Sequence, residues 1–163
     1  MQLSKMENRI DTIKASLAEL GLVSQPAEDA GWYSTQYSGI TFRYTVREKE
    51  DYMTMAVAID YGQDSLDAGK VLALVNRVNR RISYIKVFED GGYFWLAYER
   101  DIEAGAPDGR ELQKMVLLLT GAYYHFWEVF DLVIGLEDNP EGPGTGPFDW
   151  NDYLRNGSLE VDE

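Results

Sequence analysis

The sequence contains no cysteine, which excludes a disulfide framework, a thiolate nucleophile and a cysteine zinc site. Histidine is almost as scarce. His125 is the single one, so a histidine-based metal site would need carboxylates from elsewhere, and no spacing of acids picks them out. Basic residues are outnumbered, 15 Lys and Arg against 28 Asp and Glu, for a net charge of -13. A nucleic-acid partner is therefore not expected, because its phosphates call for a basic stripe. Long uninterrupted apolar runs are also missing. The greasiest span, residues 115–136, holds His125, Glu128 and Asp131, and an Asp alone costs roughly 2.5 to 3.5 kcal/mol in mid-bilayer. It reads as a buried helix, so no membrane is implied. The first ten residues carry Lys5, Glu7 and Arg9 where a signal peptide needs an apolar run, which points to a mature cytoplasmic chain.

What is present is an ordinary globular balance, 45% hydrophobic and 26% charged, with a rich supply of rings: 13% aromatic, including 11 Tyr. At 163 residues the chain is long enough for one domain with a real core plus something extra. Leu3, Met6, Ile10, Ile13, Leu17 and Leu20 alternate spacings of three and four, the apolar stripe of a first helix. Ser4 with Glu7 fits a capping box at its start, and Gly21-Leu22 fits its stop. Residues 32–37 then predict a strand. Ile40, Phe42, Tyr44 and Val46 alternate strictly with polar neighbours in a second, and Met53, Met55, Val57 and Ile59 form the inward set of a third. The other side of that third strand, Thr54, Ala56 and Ala58, is small enough for another surface to approach closely.

The chain is organised around residues 64–101. Asp64, with Asp67 three positions on, fits the cap of a second helix whose apolar positions are Val71, Leu74, Val75, Val78 and Ile82. Its other face carries Asn76, Arg77, Asn79, Arg80 and Arg81. Those cations fit a dipole-matched helix end or a local basic patch, and the Asn pair fits either a backbone tie to the next strand or a partner. Two aromatic and β-branched runs, residues 84–88 and 93–98, flank Glu89-Asp90-Gly91-Gly92 and predict a hairpin. If Ile85, Val87, Phe94 and Leu96 face the helices, then Tyr84, Phe88, Tyr93 and Trp95 face the opposite way.

Asp108 with Glu111 is a second capping box, opening a helix striped by Leu112, Met115, Leu119, Ala122, Phe126, Val129 and Val133 and ending at Gly135. From Glu137 onward eight acids stand against one base, over half the net charge. The expected division is an α+β domain over 1–136 and an acidic, Pro- and Gly-rich flexible tail over 137–163. Phe148, Trp150, Tyr153 and Leu154 interrupt that tail. Gly142-Pro143-Gly144-Thr145-Gly146 lacks a Lys and the flanking strand and helix of a phosphate loop, and Leu154 stands where a calcium loop turning over 149–160 needs glycine.

The order helix, three strands, helix, two strands, helix resembles that of the type III secretion chaperone-like fold, and within it the YbjN family of sensory-transduction regulators. The residues that carry the likeness are Val71-Leu72-Ala73-Leu74-Val75-Asn76-Arg77-Val78-Asn79, the hairpin of residues 84–98 and its exit Glu99-Arg100-Asp101-Ile102. The resemblance implies a mainly antiparallel five-stranded sheet with packed helices. It also implies a bacterial binding or adaptor role, with homodimerisation, and it carries no catalytic residue or cofactor.

The residues alone agree that the work is binding. Glu128 and Asp131, three apart on the last helix, suit a solvated edge better than acid-base chemistry, and His125 sits beside an apolar stripe. Monomers seldom leave a large aromatic patch uncovered. Tyr84, Phe88, Tyr93 and Trp95 are therefore the expected contact residues. The cover is a second subunit, a client peptide or the chain's own residues 148–154. The competing expectation is a small-molecule sensor with a pocket between the last helix and the sheet, near Tyr123 and His125.

Overall fold

In the computed structural model, which describes residues 2–61, 66–82 and 84–134, one antiparallel sheet carries three helices on a single face. The strands are β1 (Gln25–Pro26), β2 (Tyr33–Tyr37), β3 (Ile40–Arg47), β4 (Tyr52–Asp60), β5 (Ile85–Asp90) and β6 (Tyr93–Asp101). Their order is β1-β2-β3-β4-β6-β5, so the hairpin inserts β6 against β4 and leaves β5 on the edge. The α+β class, the three helices and the antiparallel sheet are as the sequence implies. The sheet has six strands rather than five, because the two-residue β1 pairs Gln25 with Ser34 and Pro26 with Tyr33.

Helix α1 (Gln2–Glu19) already includes Ser4, so the Ser4–Glu7 capping box does not mark its start. Its end is as expected. Gly21 takes φ +86°, its N–H donates to Ala18 O and the Leu22 N–H to Leu17 O, which satisfies the last carbonyls and buries Leu22. Helix α2 (Ala68–Arg81) is capped by Asp67 itself, whose carboxylate accepts from the Lys70 N–H at 2.8 Å; Asp64 lies outside the described residues. In α3 (Gly109–Ile134) the Asp108 carboxylate accepts from the Glu111 N–H at 2.9 Å. The returning half of that box does not form, since Glu111 pairs instead with Arg100 of β6.

The core lies between the helices and one sheet face. Ile13, Leu17, Phe42, Tyr44, Met53, Met55, Phe94, Leu96, Leu112 and Phe126 are sealed within it. At about 1.5 to 3 kcal/mol for each large apolar side chain, this face supplies the main driving force. A corner at Asp51 locks the layers: its left-handed backbone (φ +52°) ends the turn after Glu48–Glu50, and its carboxylate meets Arg9 of α1 at 2.7 Å. Its carbonyl accepts from the Ile102 N–H at 2.7 Å, tying in the exit of β6. The 1–136/137–163 boundary, the acidic segment and its aromatic residues fall outside the described residues.

Candidate functional site

Alternation along each strand sends every second side chain to the face away from the helices, and no helix among the described residues packs there. Cross-strand register arranges this outer face in rows. Asp60, Tyr93 and Asp90 form the row at the hairpin turn; Ala58, Trp95 and Phe88 form the next. The third is Ser34, Arg43, Ala56, Ala97 and Lys86. Two acids thus flank Tyr93 within the first row, and two cations lie in the row beyond Trp95 and Phe88.

Phe88, Tyr93 and Trp95 come together as the sequence pattern places them. Phe88 is directly opposite Trp95, and the Tyr93 and Trp95 rings are 6.4 Å apart at 53°. Phe88 and Tyr93 remain 38% and 43% exposed, and the Trp95 indole N–H donates to Asp90 O at 3.4 Å. The alanines beside them keep the centre of the face low, so the rings form its relief. Tyr84 does not join this group. It precedes β5 with φ +69°, which breaks strand alternation, and its 73% exposed side chain turns toward α3, where Lys114 Nζ lies 5.7 Å from the ring centroid.

Asn79 resolves the two readings of the α2 face in favour of a backbone tie. Its side-chain amide donates to Val87 O at 2.8 Å and accepts from the Val87 N–H at 2.9 Å, so α2 pairs with the free edge of β5 as a neighbouring strand would. The opposite edge ends in a two-residue strand containing Pro26, which has no N–H to offer. Both sheet edges are therefore blunted against strand addition, and the outer face is the larger surface on which no described helix packs.

His125 is buried in α3, 2% exposed. Burial pushes its pKa below the usual value; Glu128, whose carboxylate is 3.8 Å from Nδ1, opposes that shift and Arg81 adds to it. Around Tyr123 and His125 the helix is lined by rings, with Phe126 4.9 Å from Phe94 and Trp127 5.0 Å from Phe130. Clefts of about 320 and 430 Å³ lie elsewhere, beside Gly21 and Thr35 and beside Ile10 and Val46. Glu128 is 62% exposed at its side chain and Asp131 is exposed, a solvated helix edge. Among the described residues no cluster of three or more His, Asp or Glu is placed to hold a metal ion, and no helix is long and apolar enough to cross a membrane.

Sequence reasoning missed the contribution of Arg43, Ala97 and Lys86. Their outward direction follows from alternation, but their placement in one row depends on β4 pairing with β6 across the inserted helix, which no local pattern encodes.

Residues 9–116 match the YbjN family, described as "putative bacterial sensory transduction regulator". The chain is similar in structure to YbjN of E. coli, described as "a putative transcription regulator", at 15% identity and a TM-score of 0.48 over 80% of this chain and 91% of that one. No curated protein matches the chain. With two thirds of its length aligned to the family, from within α1 through the whole sheet to the first turns of α3, the chain belongs to the YbjN family of regulators.

Proposed function

We propose that the chain is a non-enzymatic regulatory adaptor that holds a peptide segment or a second copy of itself on the outer sheet face, through Phe88, Tyr93 and Trp95. The observation that carries this reading is the three-ring cluster on a face where no helix packs among the described residues, partly exposed and bordered by alanines. Rings of this kind bury much apolar area at little conformational cost, and interface energy concentrates in them. Both strand edges are obstructed, which favours capture on the face over addition of a strand. Tyr84 is outside this surface, and its cation–π contact with Lys114 suits a tether between β5 and α3.

The test is the full-length double variant Tyr93→Ala/Trp95→Ala. Sedimentation across a concentration series and capture from a library of apolar and aromatic peptides should both be measured on wild type and variant. Self-association or peptide affinity should fall by at least about tenfold, the weight of one interface anchor. A folded double variant that associates and captures like the wild type would refute the proposal.

A further inference from the structure

Of the two clefts described above, the one beside α1 brings opposite charges and apolar surface together. Its volume of about 430 Å³ lies in the range of about 300 to 1,000 Å³ usual for small-molecule sites. Ile10 of α1 and Val46 of β3 supply the apolar lining, each 7% exposed. Asp11 and Tyr33 line it as well, and the loop before β2 contributes Ala30 and Gly31.

These walls are held in advance. Arg9, next to Ile10, is tied to Asp51 at 2.7 Å, which anchors α1 at this point. Thr45 Oγ1 donates to Gly31 O at 2.6 Å, and Gly31 takes φ +85°, a conformation that a side chain there would strain. The Ala27 N–H donates to Trp32 O at 2.9 Å and the Trp32 N–H to Asp29 O at 3.2 Å, so the loop is closed on itself. A site already in place loses little to ordering when a ligand enters.

Asp11 is exposed and makes no ion pair among the described residues. Lys14 follows it by three positions, a spacing that puts side chains on one helix face with Cβ atoms about 5 to 6 Å apart. Lys14 does not turn back to that carboxylate. Its Nζ lies 4.6 Å from the centroid of the Tyr33 ring, which itself stacks with Tyr44 at 5.8 Å. The cation–π contact thus holds an ammonium beside a ring that lines the cleft, and apart from the neighbouring acid. A simple anion entering here meets Asp11, and a simple amine meets Lys14. A molecule with both charges at one end and an apolar group at the other suits the acid, the base and the lining together.

We propose that this cleft is a binding site for a free α-amino acid with an aliphatic side chain. The ligand's ammonium pairs with Asp11, its carboxylate with Lys14, and its side chain rests on Ile10 and Val46. The site uses none of Phe88, Tyr93 and Trp95, so it stands or falls separately from the outer face.

The test is a titration of the full-length chain with L-leucine, read by backbone amide chemical shifts. Asp11, Gly31, Tyr33 and Val46 should shift together and saturate, with Kd below about 1 mM. N-acetyl-L-leucine lacks the ammonium and L-leucinamide lacks the carboxylate. Each should bind at least about threefold more weakly, within what one exposed ion pair supplies. Asp11→Asn should weaken leucine binding by the same factor, as should Lys14→Met, which keeps an apolar stem over Tyr33. The analogues are read on the wild-type chain, so their result does not depend on how a variant folds. The proposal is overturned by a Kd above about 1 mM, or by shifts centred on the other cleft at Gly21 and Thr35. Loss of less than about threefold for either analogue also overturns it, because the apolar lining alone would then account for binding.

Discussion

Asn79 gives β5 the two backbone bonds that a further strand would give it. Each such bond is worth about 1 kcal/mol net, and Asn79 is exposed enough for water to compete. Asn79→Ala should therefore cost about 1 to 2 kcal/mol in urea unfolding and speed amide exchange at Val87 in particular. Asn79→Asp keeps the acceptor but loses the donor, so the bond to Val87 O disappears and an unprotonated oxygen faces that carbonyl. It should be no better than Ala; rescue by Asp would remove the strand-mimicking role. His125 makes a second prediction at this scale. Burial holds its folded pKa below the ordinary 6.5, with Arg81 assisting and Glu128 opposing. Below about pH 6.5 the unfolded chain then binds a proton that the folded chain resists, so this contribution to stability is complete above that pH and is lost as pH falls. Melting curves at pH 7 and pH 5 should show a shallower decline for His125→Leu than for wild type, and equal declines would contradict the assignment.

Elements report how far local signals extend. The hairpin was legible because Gly91 and Gly92 both take positive φ, the geometry that a two-residue turn between twisted strands requires. The end of α1 was legible for the same reason at Gly21. There a Cβ would meet nothing within 4 Å, so the cost of a substitution is backbone alone. Gly21→Ala should thus lose about 1 to 2 kcal/mol, a fall of about 2 to 8 °C in Tm for a chain of this size, read by calorimetry. What local signals did not contain is equally specific. Gln25–Pro26 is too short to show a period, and it becomes a strand only because Ser34 and Tyr33 lie opposite. Tyr84 falls out of the predicted aromatic set because a tyrosine at φ +69° defies the alternation on which the prediction rests. Three of the four expected contact residues could be placed from period two alone. The row of Arg43, Ala97 and Lys86 beside them needed tertiary pairing.

At the scale of the whole molecule, the large apolar side chains that are fully buried among the described residues lie on the helix-bearing face of the sheet, and this separates stability from binding. Phe126 sits at 0% exposure against Phe94, Trp127 and Phe130, in the layer where helices meet sheet. Trp95 is a comparably large ring on the next residue of the same strand as Phe94, yet it points to the face on which no described helix packs. Replacing Phe126 with Ala opens a cavity inside a close-packed layer and should cost about 3 to 5 kcal/mol. Against a total of about 5 to 15 kcal/mol for a domain, that change brings the fold close to its threshold. Trp95→Ala removes a ring that leaves solvent or a partner on one side, and should cost under about 1 kcal/mol in the isolated body. Unfolding in urea at matched concentrations measures both, and dilution separates intrinsic stability from any contribution of association. The expected pattern is a large loss for Phe126→Ala that is independent of concentration, and a small one for Trp95→Ala that grows as protein concentration rises. A loss above about 3 kcal/mol for Trp95→Ala in dilute protein would mean that the ring supports the fold itself. The outer face would then be a second core, with no surplus apolar area to offer a partner.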